Sequence, residues 1–389
     1  MTFIFRSDNN YRKLNIWKTA VMVEIGFTPT VQRQYPEGAA LRPEVASQGL
    51  DWPTIERYLA GHRLQMDPGV APRQLSGGLA NLNFLVRINH NWMVLRRPPA
   101  GPLPPGANDM QREHRILSRL WRTFALAPRS HHFCSDAAIA GAPFLLIDYR
   151  AGLSLRGDST QPLPATENTG HQLSKMLVET LAQLHTVDLA SVGLEALGHP
   201  QGFFRRNTLG WIKRAQLIAN GSLSCPAQTL AQWLTDAPDP EAGNPVLLHN
   251  DFKLDNILID PKTLQPRAIV DWDMGTQGDA LFDLATLLSY WSEPDDPSCM
   301  HRLAQMPTLQ PGFANREAVA NTYSALTGRG LEDLKPYRVL TMFKLAVVFQ
   351  QLHRRHLLGE TKDPRYADFG QLAEDLFEFT LTIANDKIL

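Results

Sequence analysis

The stretch His249-Asn250-Asp251-Phe252-Lys253-Leu254-Asp255-Asn256, with Asp271-Trp272-Asp273 shortly after it, decides how this chain folds. Val246-Leu247-Leu248 is a short apolar run that delivers His249 into a loop, and Ile257-Leu258-Ile259 is a second such run. Residues 260–266 carry two prolines, Pro261 and Pro266, and form a turn, after which Ala268-Ile269-Val270 returns. Two apolar runs joined in this way predict an antiparallel hairpin. Residues facing each other across such a pair lie roughly 5 Å apart. Asn256 therefore enters the hairpin where Asp271 leaves it, and two oxygen ligands, one neutral and one anionic, converge on one point. Mg²⁺ binds hard oxygens of this kind and leaves the rest of its shell to water and phosphate. Asp251, in the loop just before, is free to point at a substrate hydroxyl. Singly, Asp and Asn are ordinary turn residues. Their five-residue interval, the hairpin and the apolar framing together match the base, metal-binding Asn and metal-binding Asp of phosphoryl transfer.

These residues resemble the aminoglycoside phosphotransferase family of small-molecule kinases, which share the protein-kinase fold. That family carries His-Gly-Asp, an Asn five residues after the Asp, and then an apolar strand ending in Asp. Here Asn250 stands where Gly is usual, a change expected to alter only the backbone preference of the loop. Asp271-Trp272-Asp273, Gly278-Asp279 and Asp283-Leu284-Ala285 are most similar to a branch whose members occur alone in bacteria or fused to acyl-CoA dehydrogenases. Leu181-Ala182-Gln183-Leu184-His185 and residues 343–359 also fit that branch. The resemblance spans about residues 51–385. It implies an α+β, bilobal protein-kinase-like fold, with a small β-rich lobe over residues 51–147 and a larger helical lobe over 148–389. It further implies that Asp251 is the catalytic base, that Asn256 and Asp271 hold Mg²⁺, and that ATP or GTP is the phosphoryl donor. His249 is then a residue that orders the loop rather than a proton carrier.

The amino-terminal lobe has its own signals. Asp51-Trp52-Pro53 opens a helix, with Asp51 as its cap and Ile55, Tyr58 and Leu59 as its apolar stripe. Residues 73–75, Ser76-Gly77-Gly78, an alternating strand over 82–88, a turn at Asn89-His90-Asn91 and a returning strand over 92–97 follow. A strand, a turn of small residues and a second strand is how kinases cover nucleotide phosphates with backbone N–H groups, although Gly77-Gly78 alone also suits an ordinary hairpin. Residues 98–106, rich in Pro and Gly, form a stiff connector. Asn108 is placed to cap a helix running to about residue 121. On that helix Met110, Glu113, Leu117 and Leu120 share one face, so Glu113 is a carboxylate on an apolar stripe. No cation stands at the helical spacings around it. A partly buried carboxylate needs a partner, and Arg96 or Arg97 at the end of the preceding strand supplies it. By the resemblance the matching position is Arg96, an Arg where the family has Lys, oriented by Glu113 to steady the nucleotide phosphates. Arg keeps its charge but is not interchangeable with Lys. Phe144-Leu145-Leu146-Ile147 is a short strand. The resemblance makes Asp148 and Tyr149 the start of the hinge whose backbone binds adenine.

In the second lobe, residues 173–185 show helical spacing of apolar residues and end at His185, a structural histidine. Helices are also expected over 203–214, 227–234, 281–291, 315–326 and 336–358. From Asp271 the chain reaches the helix at Asp279–Asp283 too quickly for a long phosphorylatable segment, which favours a small-molecule kinase over a protein kinase. Residues 335–358 carry Lys335, Arg338, Lys344, Arg354 and Arg355 and no acid. A polycationic aminoglycoside would need acidic partners. The basic run suggests instead an anionic acceptor, such as a hydroxylated acyl thioester of coenzyme A or a phosphorylated metabolite, met by Arg338, Lys344, Arg354 or Arg355. A solvated or subunit-contact face is the alternative.

Composition bounds the rest. At 389 residues and a formal charge of −1, the chain can bury a large core and shows no bias toward nucleic acid or an anionic membrane. Cys134, Cys225 and Cys299 are far apart and odd in number, forming neither a zinc spacing nor a disulfide framework, so a reducing cytoplasm is expected. No run of about 18 apolar residues is present. Residues 1–50 form an extension; residues 1–21 carry Arg6, Arg12, Lys13 and Lys18 against Asp8, which suits either a transit-like segment or a loosely docked tail, and Met22 is an alternative start. The expectation is a kinase acting with ATP or GTP and Mg²⁺ on the hydroxyl of a small metabolite. A catalytically silent nucleotide-binding scaffold and an aminoglycoside-resistance kinase are its rivals.

Overall fold

Alternating side chains over residues 82–97 build the sheet on which the amino-terminal part is assembled. The computed structural model describes residues 35–44, 49–76, 81–99, 108–241, 243–360 and 364–385. Residues 38–389 cluster as one unit and residues 1–37 as another. In the larger unit the first helix, α1 (Trp52–Gly61), starts at Asp51, whose carboxylate accepts from Thr54 N at 3.2 Å. There follow β1 (Arg73–Gln74), β2 (Leu82–Ile88), β3 (Asn91–Arg97), α2 (Met110–Leu120), β4 (Ser130–Cys134), α3 (Ala137–Ala140) and β5 (Phe144–Asp148). The five strands form one antiparallel sheet in the order β1-β2-β3-β5-β4.

Strand alternation assigns each residue of β3 to a face. Met93 and Leu95 pack with Phe84, Val86, Phe144 and the α1 residues Ile55 and Leu59. Val94 joins Leu145, Ile147 and the α2 residues Ile116, Leu117 and Leu120 on the other face. Arg96 follows Val94 toward α2, and Arg97 follows Leu95 toward α3, where it donates to Ala140 O. The helix cap is Asp109, which accepts from Arg112 N at 2.9 Å. Asn108 is not the cap: it takes a left-handed φ of 56° and its amide donates to Asn81 Oδ1 at 2.8 Å.

The remaining chain is helical around two small β ladders. It contains α4 (Glu167–Leu184), α5 (Phe203–Ile218), α6 (Cys225–Asp236), β6 (Val246–Leu248), β7 (Ile257–Ile259), β8 (Pro266–Ile269), β9 (Thr276–Gly278), α7 (Ala280–Ser289), α8 (Ser298–Leu303), α9 (Arg316–Thr327), α10 (Leu334–Leu357) and α11 (Phe369–Asn385). The hairpin expected from the sequence is β7–β8, with Ile257 opposite Ile269. Val270 N donates to Asn256 O at 2.9 Å, so the ladder extends by one bond and sets Asn256 beside Asp271. The other ladder pairs β6 with β9, which the sequence does not announce. All ten residues of α7 are buried. A helix buried on every face belongs in a core, and α7 is the one against which the loop after β6 and the helix α10 are laid. Trp272, Trp291, Phe252, Phe282, Phe343 and Phe377 are fully buried here, each worth about 1.5–3 kcal/mol of burial. Among the described residues no helix is long and apolar enough to cross a membrane.

Candidate active site

The loop that follows β6 is held from beneath by a carboxylate. Asp283, on α7, accepts from His249 N at 2.6 Å and from Asn250 N at 2.8 Å. His249 is buried between Phe252 and Trp272. Its Nε2 lies 2.9 Å from Val270 O, and a carbonyl can only accept, so Nε2 carries the proton. The ring is thereby tied to the exit of β8 and is not aimed at a substrate. Asn250 has a φ of 66°, the left-handed region that Gly adopts freely and Asn tolerates. Its amide donates to Met274 O at 2.7 Å, a bond Gly could not make.

Asp251 leads the loop out toward the cleft. Its Oδ1 accepts from the Tyr290 hydroxyl at 2.7 Å and its Oδ2 from Asn256 Nδ2 at 3.0 Å. Lys253 Nζ stands 3.5 Å from Oδ2 and 4.9 Å from the centre of the Tyr290 ring. Burial works to raise the Asp251 pKa, but the Lys253 ammonium, the Tyr290 hydrogen bond and the charge of Lys344 outweigh it and hold the carboxyl below its ordinary range. Asp251 is therefore ionised at neutral pH, the state a base requires.

Asn256 also donates from Nδ2 to Asp251 O at 2.8 Å. With the amide nitrogen so used, the carbonyl oxygen is the atom left for a ligand. Asp271, at φ 69°, brings carboxylate oxygens to the same end of the hairpin. One neutral and one anionic oxygen fit Mg²⁺, which keeps several water or phosphate ligands. Among the described residues no group of three or more His, Cys, Asp or Glu could hold a metal ion by itself.

Arg96 completes the arrangement from the sheet. Its Nε donates to Glu113 Oε2 at 2.8 Å, its Nη1 to Asn83 Oδ1 at 3.3 Å, and its Nη2 pairs with Asp271 Oδ1. Burial pulls the guanidinium pKa down, but Asp271 and Glu113 drive it well above its ordinary value. Glu113 is fully buried and also accepts from Trp272 N at 3.4 Å. Arg96, not Arg97, is thus the partner of Glu113, as strand alternation requires. Asp273 lies behind, with Asn81 Nδ2 3.4 Å from its Oδ2. Burial, then the neighbouring charge of Asp271, pushes it up to about 8.

The other sequence candidates are placed less directly. The Ser76 hydroxyl donates to Ala40 O at 3.0 Å, and Gly77 and Gly78 lie outside the described residues, as does most of the extension over 1–50. Tyr149 N donates to Trp92 O at 3.2 Å, and Asp148 is held by His131 at 2.7 Å. The four basic residues of α10 do not come together. Arg338 is fully buried and donates to Ser289 Oγ at 2.8 Å. Arg354 donates to Leu217 O at 2.9 Å and also meets Ile218 O, capping the end of α5. Arg355 pairs with Glu360. Lys344 alone reaches the loop, donating to Asn250 O at 2.8 Å. The acid-free run therefore reflects a helix whose first half is core, not one basic face. Sequence reasoning passed over Lys253, Tyr290 and the role of Asp283. Asp283 had left a trace, a carboxylate inside an otherwise apolar helix.

An antiparallel β lobe over a helical one, with Asp251, Asn256 and Asp271 gathered on a loop and hairpin below an Arg–Glu pair, defines the kinase-like phosphotransferases. Residues 72–319 match the model of the phosphotransferase enzyme family, APH, and the chain belongs to that family. That family is one of phosphotransferase enzymes. The chain is 29% identical over 350 residues to acyl-CoA dehydrogenase family member 11 of Gallus gallus, a match covering 86% of this chain and 43% of that protein. The chain thus spans less than half the length of that relative. Among solved structures, a candidate aminoglycoside phosphotransferase of Ralstonia eutropha JMP134 superposes with a TM-score of 0.71 at 23% identity, covering 87% of this chain and 99% of that one. Aminoglycoside phosphotransferase APH(4)-Ia, solved as a ternary complex with ADP and hygromycin B, gives 0.54 at 17% identity, over 85% and 98% of the two chains. These likenesses carry the fold.

Proposed function

We propose that this protein transfers the γ-phosphoryl group of ATP or GTP to a hydroxyl of an anionic metabolite, of which a hydroxylated acyl thioester of coenzyme A is one example. The observation that carries the reading is the convergence of Asp251, Asn256 and Asp271 with the Arg96–Glu113 pair on one point. In the reaction the acceptor oxygen forms a bond to the γ-phosphorus, the bond to the β–γ bridging oxygen breaks, and the nucleoside diphosphate leaves. Asp251 orients the acceptor hydroxyl and takes its proton, while Lys253, 3.5 Å from its Oδ2, helps to hold that carboxylate ionised. Mg²⁺, held by Asn256 and Asp271, would neutralise phosphate charge when bound. Arg96, oriented by Glu113, steadies the phosphates, and rate comes mainly from positioning and electrostatics. The name of the Gallus gallus relative supports an acyl-CoA-like acceptor, by analogy.

One observation favours a silent nucleotide-binding protein instead: Arg96 engages Asp271 directly. Incubation of the purified chain with labelled ATP, Mg²⁺ and a metabolite pool separates the two. Transfer of label to a small anionic molecule, lost in Asp251→Asn, supports the kinase. Nucleotide binding with no transfer to any acceptor would overturn it, and transfer to an aminoglycoside alone would overturn the anionic acceptor.

A further inference from the structure

Beside the loop that carries Asp251 lies a cleft of about 570 Å³, walled by α2, the first turns of α5, the chain at 197–199 and residues 274–276. Asn250 forms part of its floor. Asp251 is the next residue, and successive Cα atoms are about 3.8 Å apart. The cleft therefore comes within one residue of the base. Gly198, at φ +73°, lets its walls close up, since a Cβ there would collide with the Thr276 side chain.

The charge in this cleft is one-sided. Arg112, Arg115, Arg206 and His199 line it, against a single acid, Asp109. Arg112 pairs with Asp109 at 3.3 Å. Arg115 donates to Ala196 O at 2.9 Å, and Arg206 donates to His199 O and Gln201 O. Carbonyls fix these two guanidinium groups in place without neutralising them. Among the described residues neither pairs with a carboxylate.

Helix direction adds to the same field. The cleft faces the amino-terminal turns of α2, capped by Asp109, and of α5, whose backbone N–H groups have no side-chain cap and give a partial positive charge. Arg112 stands in the first turn of α2. Arg205 and Arg206 stand in that of α5, which has no acid in its first turn and no side-chain cap. Arg205 is neutralised by Asp239; Arg206 is not. Cations at helix amino termini are unfavourable by themselves. An anion in the cleft would satisfy both the guanidinium groups and the uncapped end of α5.

We propose that this cleft is an anion-binding subsite that holds a phosphate-bearing part of the acceptor while its hydroxyl lies at Asp251. The assignment rests on the kinase reading, and it moves the anion site from α10 to the cleft between α2 and α5.

Inorganic pyrophosphate serves as the probe, titrated calorimetrically into the full chain saturated with Mg²⁺ and AMP-PNP, so that the nucleotide site is already filled. One pyrophosphate should bind, and more weakly as salt rises. The double variant Arg115→Gln/Arg206→Gln should weaken it by at least about tenfold, the range of one charge-assisted hydrogen bond or more. Arg206→Gln alone, a change to an exposed side chain, should give part of that loss. Arg355→Gln should give none. AMP-PNP affinity should stay unchanged in all three, which also shows that they fold. No pyrophosphate binding to the AMP-PNP complex, or equal binding by wild type and double variant, would overturn the subsite. Failure of AMP-PNP itself to bind would instead count against the kinase reading, and the same comparison on the nucleotide-free chain would still decide the cleft.

Discussion

Asn250 holds a left-handed backbone at a position where a Cβ costs about 1–2 kcal/mol unless the side chain offsets it. Its amide bond to Met274 O is the offset. Asn250→Gly should lose only that bond, whereas Asn250→Ala loses the bond and keeps the strain. Denaturant unfolding should therefore rank the alanine variant about 1 kcal/mol below the glycine variant; equal stabilities would remove the strain argument. At Asp251 the change to Asn keeps size and the Tyr290 contact but removes the proton acceptor. Turnover should fall by about 10²-fold or more, with affinity for Mg²⁺–AMP-PNP nearly kept. If affinity collapses and turnover does not, Asp251 belongs to nucleotide binding. Tyr290→Phe removes the hydrogen bond to Oδ1 alone and should lower turnover by about tenfold without altering nucleotide affinity. Asp251, Asn256 and Asp271 were legible in the sequence because their interval and the hairpin around them leave few other arrangements. Tyr290 was not, because no interval or period links residue 290 to a loop near residue 251; tertiary packing at the end of α7 makes that contact. Lys253 stands in the quoted stretch itself, but nothing in its spacing shows that its ammonium turns back to Asp251.

Elements were legible where apolar spacing was regular. The β7–β8 hairpin, β2, β3, α5, α6, α7, α9 and α10 follow their patterns, with ends that differ by a few residues, whereas α8 and α11 were not expected. The strand β9, Thr276-Gln277-Gly278, carries no strand pattern and exists because β6 needs a partner. The basic run on α10 misled because charge was counted along the helix and not by face. Residues 337–347 of that helix are buried throughout. Arg338 there is fully buried, and two of its nitrogens, Nε and Nη2, have no hydrogen-bond partner. Burial, then the like charge of Arg316, lowers its pKa to about 9. A buried cation so poorly matched contributes little, and apolar replacement of buried charge is often neutral or stabilising. Arg338→Met should therefore hold or raise the thermal midpoint and leave turnover intact. A loss of acceptor binding in that variant would restore Arg338 as a substrate contact.

At the scale of the whole molecule, the proposed function links nucleotide, metal and fold through one short hairpin. A ligand that binds only the folded state stabilises it by about 2.7 kcal/mol at a hundredfold excess over Kd. AMP-PNP should accordingly raise the thermal midpoint in the presence of Mg²⁺, and EDTA should remove most of that rise if Asn256 and Asp271 hold the ion. Asp271→Asn is the discriminating variant. Asn accepts the left-handed φ of 69° that an alanine would strain, so the backbone stays supported while the charge is lost. Losing the charge has two opposite consequences. Arg96 is left with Glu113 as its one carboxylate partner, which lowers the stability of the free protein modestly. The metal loses its anionic ligand, which should abolish the Mg²⁺-dependent part of the AMP-PNP shift. The second effect is read as a difference between runs with and without Mg²⁺, so it is separable from the first. A variant that keeps the full Mg²⁺-dependent shift would show that Asp271 serves only to hold Arg96, and the metal would then have to be placed elsewhere in the cleft.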